Sequence, residues 1–210
     1  LKVLPVPVAE TTLRMPMEQA SALAHLARWR ALPLPLNASC WVRDATAQPP
    51  QAVLYLRLRG ARAAVEAAAR QLLADTPGER LDDPATGADW DACRDHQLPF
   101  FSPPAPDLAL WRLSVPPNTP PLEGLGDTLV EWHGGQRWLW APLSAAIRLR
   151  ATAQRAKGHA TLFRWPATGP DAGTAIHSPP TPAVLAIQRR LKTAFDPAGV
   201  FNPGTWGPGH

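Results

Sequence analysis

Two periodicities alternate along this chain, and they do so in the same order twice. Residues 8–14, "VAETTLR", alternate like a strand, and residues 17–31 place Ala20, Leu23, Leu26, Ala27 and Trp29 near helical spacing. "ASCWVRD" (38–44) and "AVLYLRLRG" (52–60) read as two further strands, "ARAAVEAAARQLLAD" (61–75) as a helix of strong helix formers, and 79–81 as a short strand. A short helix is expected around 89–95. The second round runs through a strand at 107–115, a hairpin turning at Gly134-Gly135, a helix at 143–156 and a strand at 159–165, with its first helix shortened. Strand-helix-strand-strand-helix-strand is the split βαβ, ferredoxin-like unit. Two such halves, at about 8–82 and 107–165, predict an α+β fold: one antiparallel sheet with helices on one face. Residues 1–165 are thus expected to form one domain, and 166–210 a C-terminal helix and tail.

The second face of such a sheet must meet water or a partner. Alternation assigns its side chains. With Leu54, Leu56 and Leu58 toward the helices, Tyr55, Arg57 and Arg59 face outward; with Trp111, Leu113 and Val115 inward, Leu110, Arg112 and Ser114 face outward. Arg137 and Leu139 oppose Trp138 and Trp140, and the phase of "HATLFRW" is left open. Arg57 and Arg59 read as a solvated face, the Trp residues as packing, and His159, after Gly158 at a strand start, first as a structural histidine. Arg112 is the better candidate for a ligand.

The remaining chemistry is exclusion. The net charge of +4 is modest, and the aromatic pattern of a ferredoxin-like RNA binder is missing, so no nucleic acid is expected. Cys40 and Cys93 match no metal or redox spacing and read as a buried reduced pair; the six His form no zinc motif. No apolar run is long enough for a membrane helix. There is no nucleophile elbow and no phosphate-cradling loop.

The C-terminal stretch is informative. Thr181 caps a helix with Pro182 in its first turn and a stripe of Val184, Ile187, Leu191 and Phe195. "FDPAGVFNPG" (195–204) then ends the helix at Pro197, reverses at Gly199 and presents the Asn202 amide from a stiffened loop. This tail resembles the C-terminal signature of FAD-linked oxidases of the vanillyl-alcohol-oxidase type. With "LKVLPVPVAETTL", "LPFF" (98–101), "LWRLSVPP" (110–117), "LVEWHGGQRWL" (129–139) and "GHATLFR" (158–164) in order, the chain resembles the FAD-binding (E) subunits of glycolate oxidases.

That resemblance implies a cap domain on the substrate side of a flavin, with FAD held mainly by an N-terminal domain expected to precede Leu1. It implies a small 2-hydroxy acid substrate, oxidation of glycolate to glyoxylate, and partners in a second flavoprotein and an iron–sulfur subunit. A cytoplasmic location follows, with attachment to the inner membrane through those partners as a variant. Asn202 matches the tail Asn close to the flavin; Arg112 and Arg137 match basic strand positions on the substrate side. His159 stands where related subunits begin a His-rich "HxGDGN"-like strand. Here Ala160, Thr161 and Leu162 follow, without the acid and second His. That departure sets an alternative beside the oxidase reading: a non-catalytic assembly and electron-transfer module. The isolated chain is expected to be inactive.

Overall fold

The computed structural model describes residues 6–81, 85–169 and 174–201. Residues up to Ile176 form one compact unit, and those from His177 form a second.

The first unit contains β1 (Ala9–Pro16), α1 (Gln19–Trp29), β2 (Leu36–Asp44), β3 (Gln51–Gly60), α2 (Arg62–Asp75) and β4 (Glu79–Leu81), the β-α-β-β-α-β order expected. After α3 (Ala85–Arg94) come β5 (Leu108–Ser114), β6 (Thr128–Glu131), β7 (Gln136–Pro142), α4 (Ala146–Arg155) and β8 (His159–Arg164). All eight strands join one sheet in the order β4-β1-β3-β2-β6-β7-β5-β8, every pairing antiparallel. Numbered within its own half, each half has the order 4-1-3-2, and the halves meet where Cys40 pairs with Glu131 and Trp41 with Val130. The sheet is α+β, as the duplicated pattern predicts. No helix lies between β5 and β6, so the second half keeps only its second crossover helix.

One face carries the long helices. Leu13, Met15, Leu54, Leu56 and Leu58 pack with Leu23, Leu26 and Trp29 of α1 and Val65 and Leu72 of α2, all buried. Trp111, Leu113, Leu139 and Leu162 pack with Leu149 and Ala153 of α4. Burying each large apolar side chain contributes about 1.5–3 kcal/mol, so these two clusters supply most of the driving force. Asp75 joins the helices, accepting from Trp29 Nε1 at 3.0 Å and from the Arg28 guanidinium.

The opposite face, expected to be open, is partly covered. Alternation turns Cys40, Leu110, Leu129 and Trp138 onto it, too much apolar surface to leave wet. Trp90 and Cys93 of α3, three apart and so on one helix side, cover them together with Phe101 from the helical turn Pro99–Phe101. Trp90 Nε1 also donates to Thr12 Oγ1 at 2.9 Å.

The β6–β7 connection departs from a two-residue hairpin. Glu131 ends β6, and Trp132 and His133 both have φ of 52°, so the turn takes four residues before Gln136. Gly134 is required there: its φ is 95°, and a Cβ would stand 2.7 Å from the Pro117 carbonyl oxygen.

In the second unit, α5 (Pro182–Phe195) is capped by Thr181, whose Oγ1 accepts from Val184 N at 3.4 Å. Asp196 then ties the following turn. Its carboxylate accepts from the backbone amides of Val200 and Phe201, both at 3.0 Å, and from Lys192. Gly199 takes φ of 66°, the reversal expected of it. Asn202 lies outside the described residues.

Candidate functional site

The candidate site forms on the second sheet face, toward the β8 edge. Arg112 on β5 sits opposite Trp138 of β7 on one side and Thr161 of β8 on the other. Its guanidinium lies over the Phe163 ring, 5.7 Å from the centroid, and its Nε is buried without a hydrogen-bond partner. A buried donor without an acceptor costs free energy, which sets Arg112 apart from the satisfied Arg137. Phe163 in turn meets Trp138 edge-on at 4.8 Å.

A register shift supplies a second cation. Leu110 pairs with Arg164 while Trp111 pairs with Leu162, so β8 carries one extra residue at Phe163. Such a bulge breaks strict alternation. Arg164 therefore opposes Leu110, and its Nη1 donates to the Phe101 carbonyl at 2.9 Å.

His96, just past α3, fills the centre of the aromatic group. Its φ of 55° turns the ring back onto the sheet, 4.7 Å from Phe101, 4.8 Å from Trp138 and 5.0 Å from Phe163. Burial lowers its pKa. The Glu131 carboxylate pulls the other way, and Arg164 and Arg112 add to the lowering. At neutral pH the ring is uncharged and able to accept a proton.

Glu131 is held rigidly: Trp138 Nε1 donates to it at 2.5 Å, Gln136 Nε2 at 3.1 Å and Cys93 Sγ at 3.2 Å.

Of the residues expected from the sequence, the three that are described divide between the two faces. Arg112 and His159 share the second face, His159 pairing with Ser114 two places along from the Arg112–Thr161 pair. His159 is exposed. Gly158 before it permits this edge, because a Cβ there would lie 2.1 Å from the Ser114 carbonyl oxygen.

Arg137 is not brought to them. It is 1% exposed on the helix-covered face beside Leu139, donating from Nε to the Gly134 carbonyl at 2.9 Å and from Nη2 to the Thr119 carbonyl at 2.8 Å. Burial lowers its pKa to about 10, and it serves as a tie between the β6–β7 turn and the 115–127 connection.

His96 and Arg164 were not singled out from the sequence. A histidine following a helix that ends "CRDHQ", before the aromatic "LPFF", was the available signal for the first.

A cavity of about 900 Å³ lies elsewhere on this face. Val42, Tyr55, Trp90 and Phe100 line it, together with Asp44, Asp89, Asp127 and Arg43. Three carboxylates make it unsuited to a small anion. The Arg112 patch, with Arg164 beside it, is the better anion site by charge.

The fold and this patch define an α+β domain of two half-sheets with one strand order, bearing an aromatic, arginine-containing face. The chain is similar to the glycolate oxidase subunit GlcE of Escherichia coli (strain K12), 35% identical over 204 residues, which are 97% of this chain and 51% of that protein. The chain thus spans about half the length of the curated relative it matches. No protein-family profile matches it. Among the described residues no helix is long and apolar enough to cross a membrane, and no group of His, Cys, Asp and Glu suits a metal ion.

Proposed function

We propose that this chain is the substrate-side, cap part of an FAD-dependent subunit of a glycolate-oxidase-type complex, acting on a small 2-hydroxy acid. The observation that carries the reading is the buried, unpartnered Arg112 Nε on a face shared with His96, Arg164 and His159. A guanidinium suits a carboxylate through charge-assisted, paired hydrogen bonds. The flavin, when bound, supplies the two-electron acceptor. The residues of this chain orient the acid: Arg112 takes its carboxylate, the Phe163 and Trp138 rings exclude water, and neutral His96 accepts a proton at an imidazole nitrogen.

In this reading FAD is held mainly by an N-terminal FAD-binding domain of the kind the resemblance implies, consistent with the chain matching about half the length of the GlcE protein. Asn202 belongs to the proposal as the tail amide that meets the flavin. The second flavoprotein and the iron–sulfur subunit are the proposed partners, receiving electrons in turn.

A non-catalytic assembly role is the competing reading. The exposed apolar side chains of α5 (Val184, Ile187, Leu191 and Phe195) favour it. Arg112→Ala in the complete complex separates the two. Glycolate kcat/KM falling roughly tenfold or more, with the complex intact, supports the substrate role. Unchanged turnover, or loss of assembly, supports the scaffold.

A further inference from the structure

The two cysteines are the one pair of nucleophilic side chains that the substrate reading leaves unused. Cys40 on β2 and Cys93 on α3 are free and each 4% exposed, on facing elements of the same cluster. Both lie against Glu131, Cys40 as its partner across the strands and Cys93 through its thiol, which brings the two sulfurs to one carboxylate. Both border the cavity of about 900 Å³, which gives a small oxidant a route to otherwise buried sulfur. Glu131 completes the group: it pairs with Cys40 across β2–β6, and its Oε1 accepts from Cys93 Sγ at 3.2 Å. Its other oxygen is fixed by Trp138 and Gln136, so the carboxylate cannot swing away.

We propose that Cys40 and Cys93 are a hydroperoxide-sensitive dithiol that closes to a disulfide between β2 and α3, with Glu131 as the base for Cys93. Neither the flavin nor the 2-hydroxy acid enters the proposal.

The roles follow from the surroundings. Cys93 is the attacking sulfur because its Sγ is the one that donates to Glu131 Oε1, at 3.2 Å, while the neighbouring Cys93, burial and the Glu131 charge push the Cys40 thiol well up. Glu131 takes the Cys93 proton. The thiolate attacks one oxygen of the hydroperoxide, the O–O bond breaks, and the departing oxygen takes the proton from Glu131. Cys93 is then a sulfenic acid. The Cys40 sulfur attacks it, the S–S bond forms as the S–O bond breaks, and the hydroxyl leaves with the Cys40 proton as water. Two thiols lose two electrons, and one hydroperoxide is reduced. The product staples α3 to the sheet along the wall of the cavity.

The test is thiol mapping. The protein is exposed to hydrogen peroxide at neutral pH, quenched with an alkylating agent in denaturant, digested and analysed by mass spectrometry. The expected result is a Cys40–Cys93 linked peptide within one chain and loss of both alkylation sites. Glu131→Gln is expected to slow the linkage roughly tenfold. Cys40→Ser is expected to leave a Cys93 sulfenic acid that dimedone traps. Wild-type protein alone decides the disulfide, whatever the variants do to folding. Two alkylated cysteines after peroxide, sulfinic acid on Cys93 with no linked peptide, or links only between chains would overturn the proposal.

Discussion

Arg112 and Arg137 sit on neighbouring strands one register step apart, since Arg112 pairs with Trp138 and Leu113 with Arg137, yet they point to opposite faces of the sheet. That parity gives the two arginines different work. Arg137 satisfies two backbone carbonyls in the core, whereas Arg112 has a buried Nε without an acceptor.

Arg137→Ala is therefore expected to be a stability variant. Two buried carbonyls lose their donor and a cavity opens, partly offset by removing a charge from the interior; the net cost is about 3 kcal/mol. Chemical denaturation measures it. A variant as stable as wild type would mean that the tie between the 132–135 turn and Thr119 carries no weight.

His96 gives a pH dependence of definite sign. Its folded-state pKa is lowered, chiefly by burial, with Arg164 and Arg112 adding and Glu131 and Asp95 opposing. The unfolded chain therefore takes the proton first. The contribution is fully present above the unfolded value of about 6.5 and is lost as pH falls through the lower folded value. His96→Gln is expected to reduce the slope of the stability profile between about pH 7 and 5, measured as denaturation midpoints, with the remainder carried by His25 and His133, whose pKa values burial also lowers. The depressed carboxylates Asp44, Asp75 and Asp196 act only at lower pH, within or below the usual carboxylate range. Parallel profiles for variant and wild type would remove His96 from the buried cluster.

Gly158→Ala tests the β8 edge. The added methyl would meet the Ser114 carbonyl oxygen, which belongs to backbone and cannot rotate away. A loss of roughly 2–3 kcal/mol is expected, with faster hydrogen exchange in β8. Wild-type exchange in β8 would show that His159 and Arg112 are not held in this register.

Asp196→Ala addresses the C-terminal turn. The Val200 and Phe201 amides lose their acceptor, so their exchange is expected to quicken roughly fivefold, about 1 kcal/mol of local stability. Unchanged exchange would mean that the Pro and Gly residues alone set the loop.

Much of this could be read before the structure. The leucines at 54, 56 and 58 and the polar residues between them fixed which face of β3 meets the helices, and the same alternation placed Arg112 outward. Three things broke the pattern. The bulge at Phe163 put consecutive residues of β8 to use on the second face, which no period-2 reading anticipates. The positive φ at Trp132 and His133 put both in the turn, ahead of the Gly134-Gly135 pair expected to make it. Arg137 defeated polarity as a guide: a charged side chain went to the core because two carbonyls there needed a donor. The cover formed by Trp90, Cys93 and Phe101 was legible only in part, since three apolar residues in a polar stretch do not say which sheet face they seal.

Binding without turnover is the most direct test of Arg112 as the carboxylate anchor. Oxalate keeps the carboxylate-beside-carbonyl arrangement of a 2-hydroxy acid's oxidised product and has no C–H bond to give up, so it reports binding alone. Its titration into the full-length, flavin-loaded protein, followed by the flavin absorbance change, is compared between wild type and Arg112→Gln. Affinity weaker by roughly tenfold or more in the variant, with Arg137→Ala near wild type, is the expected result. Equal affinity in wild type and Arg112→Gln would contradict it.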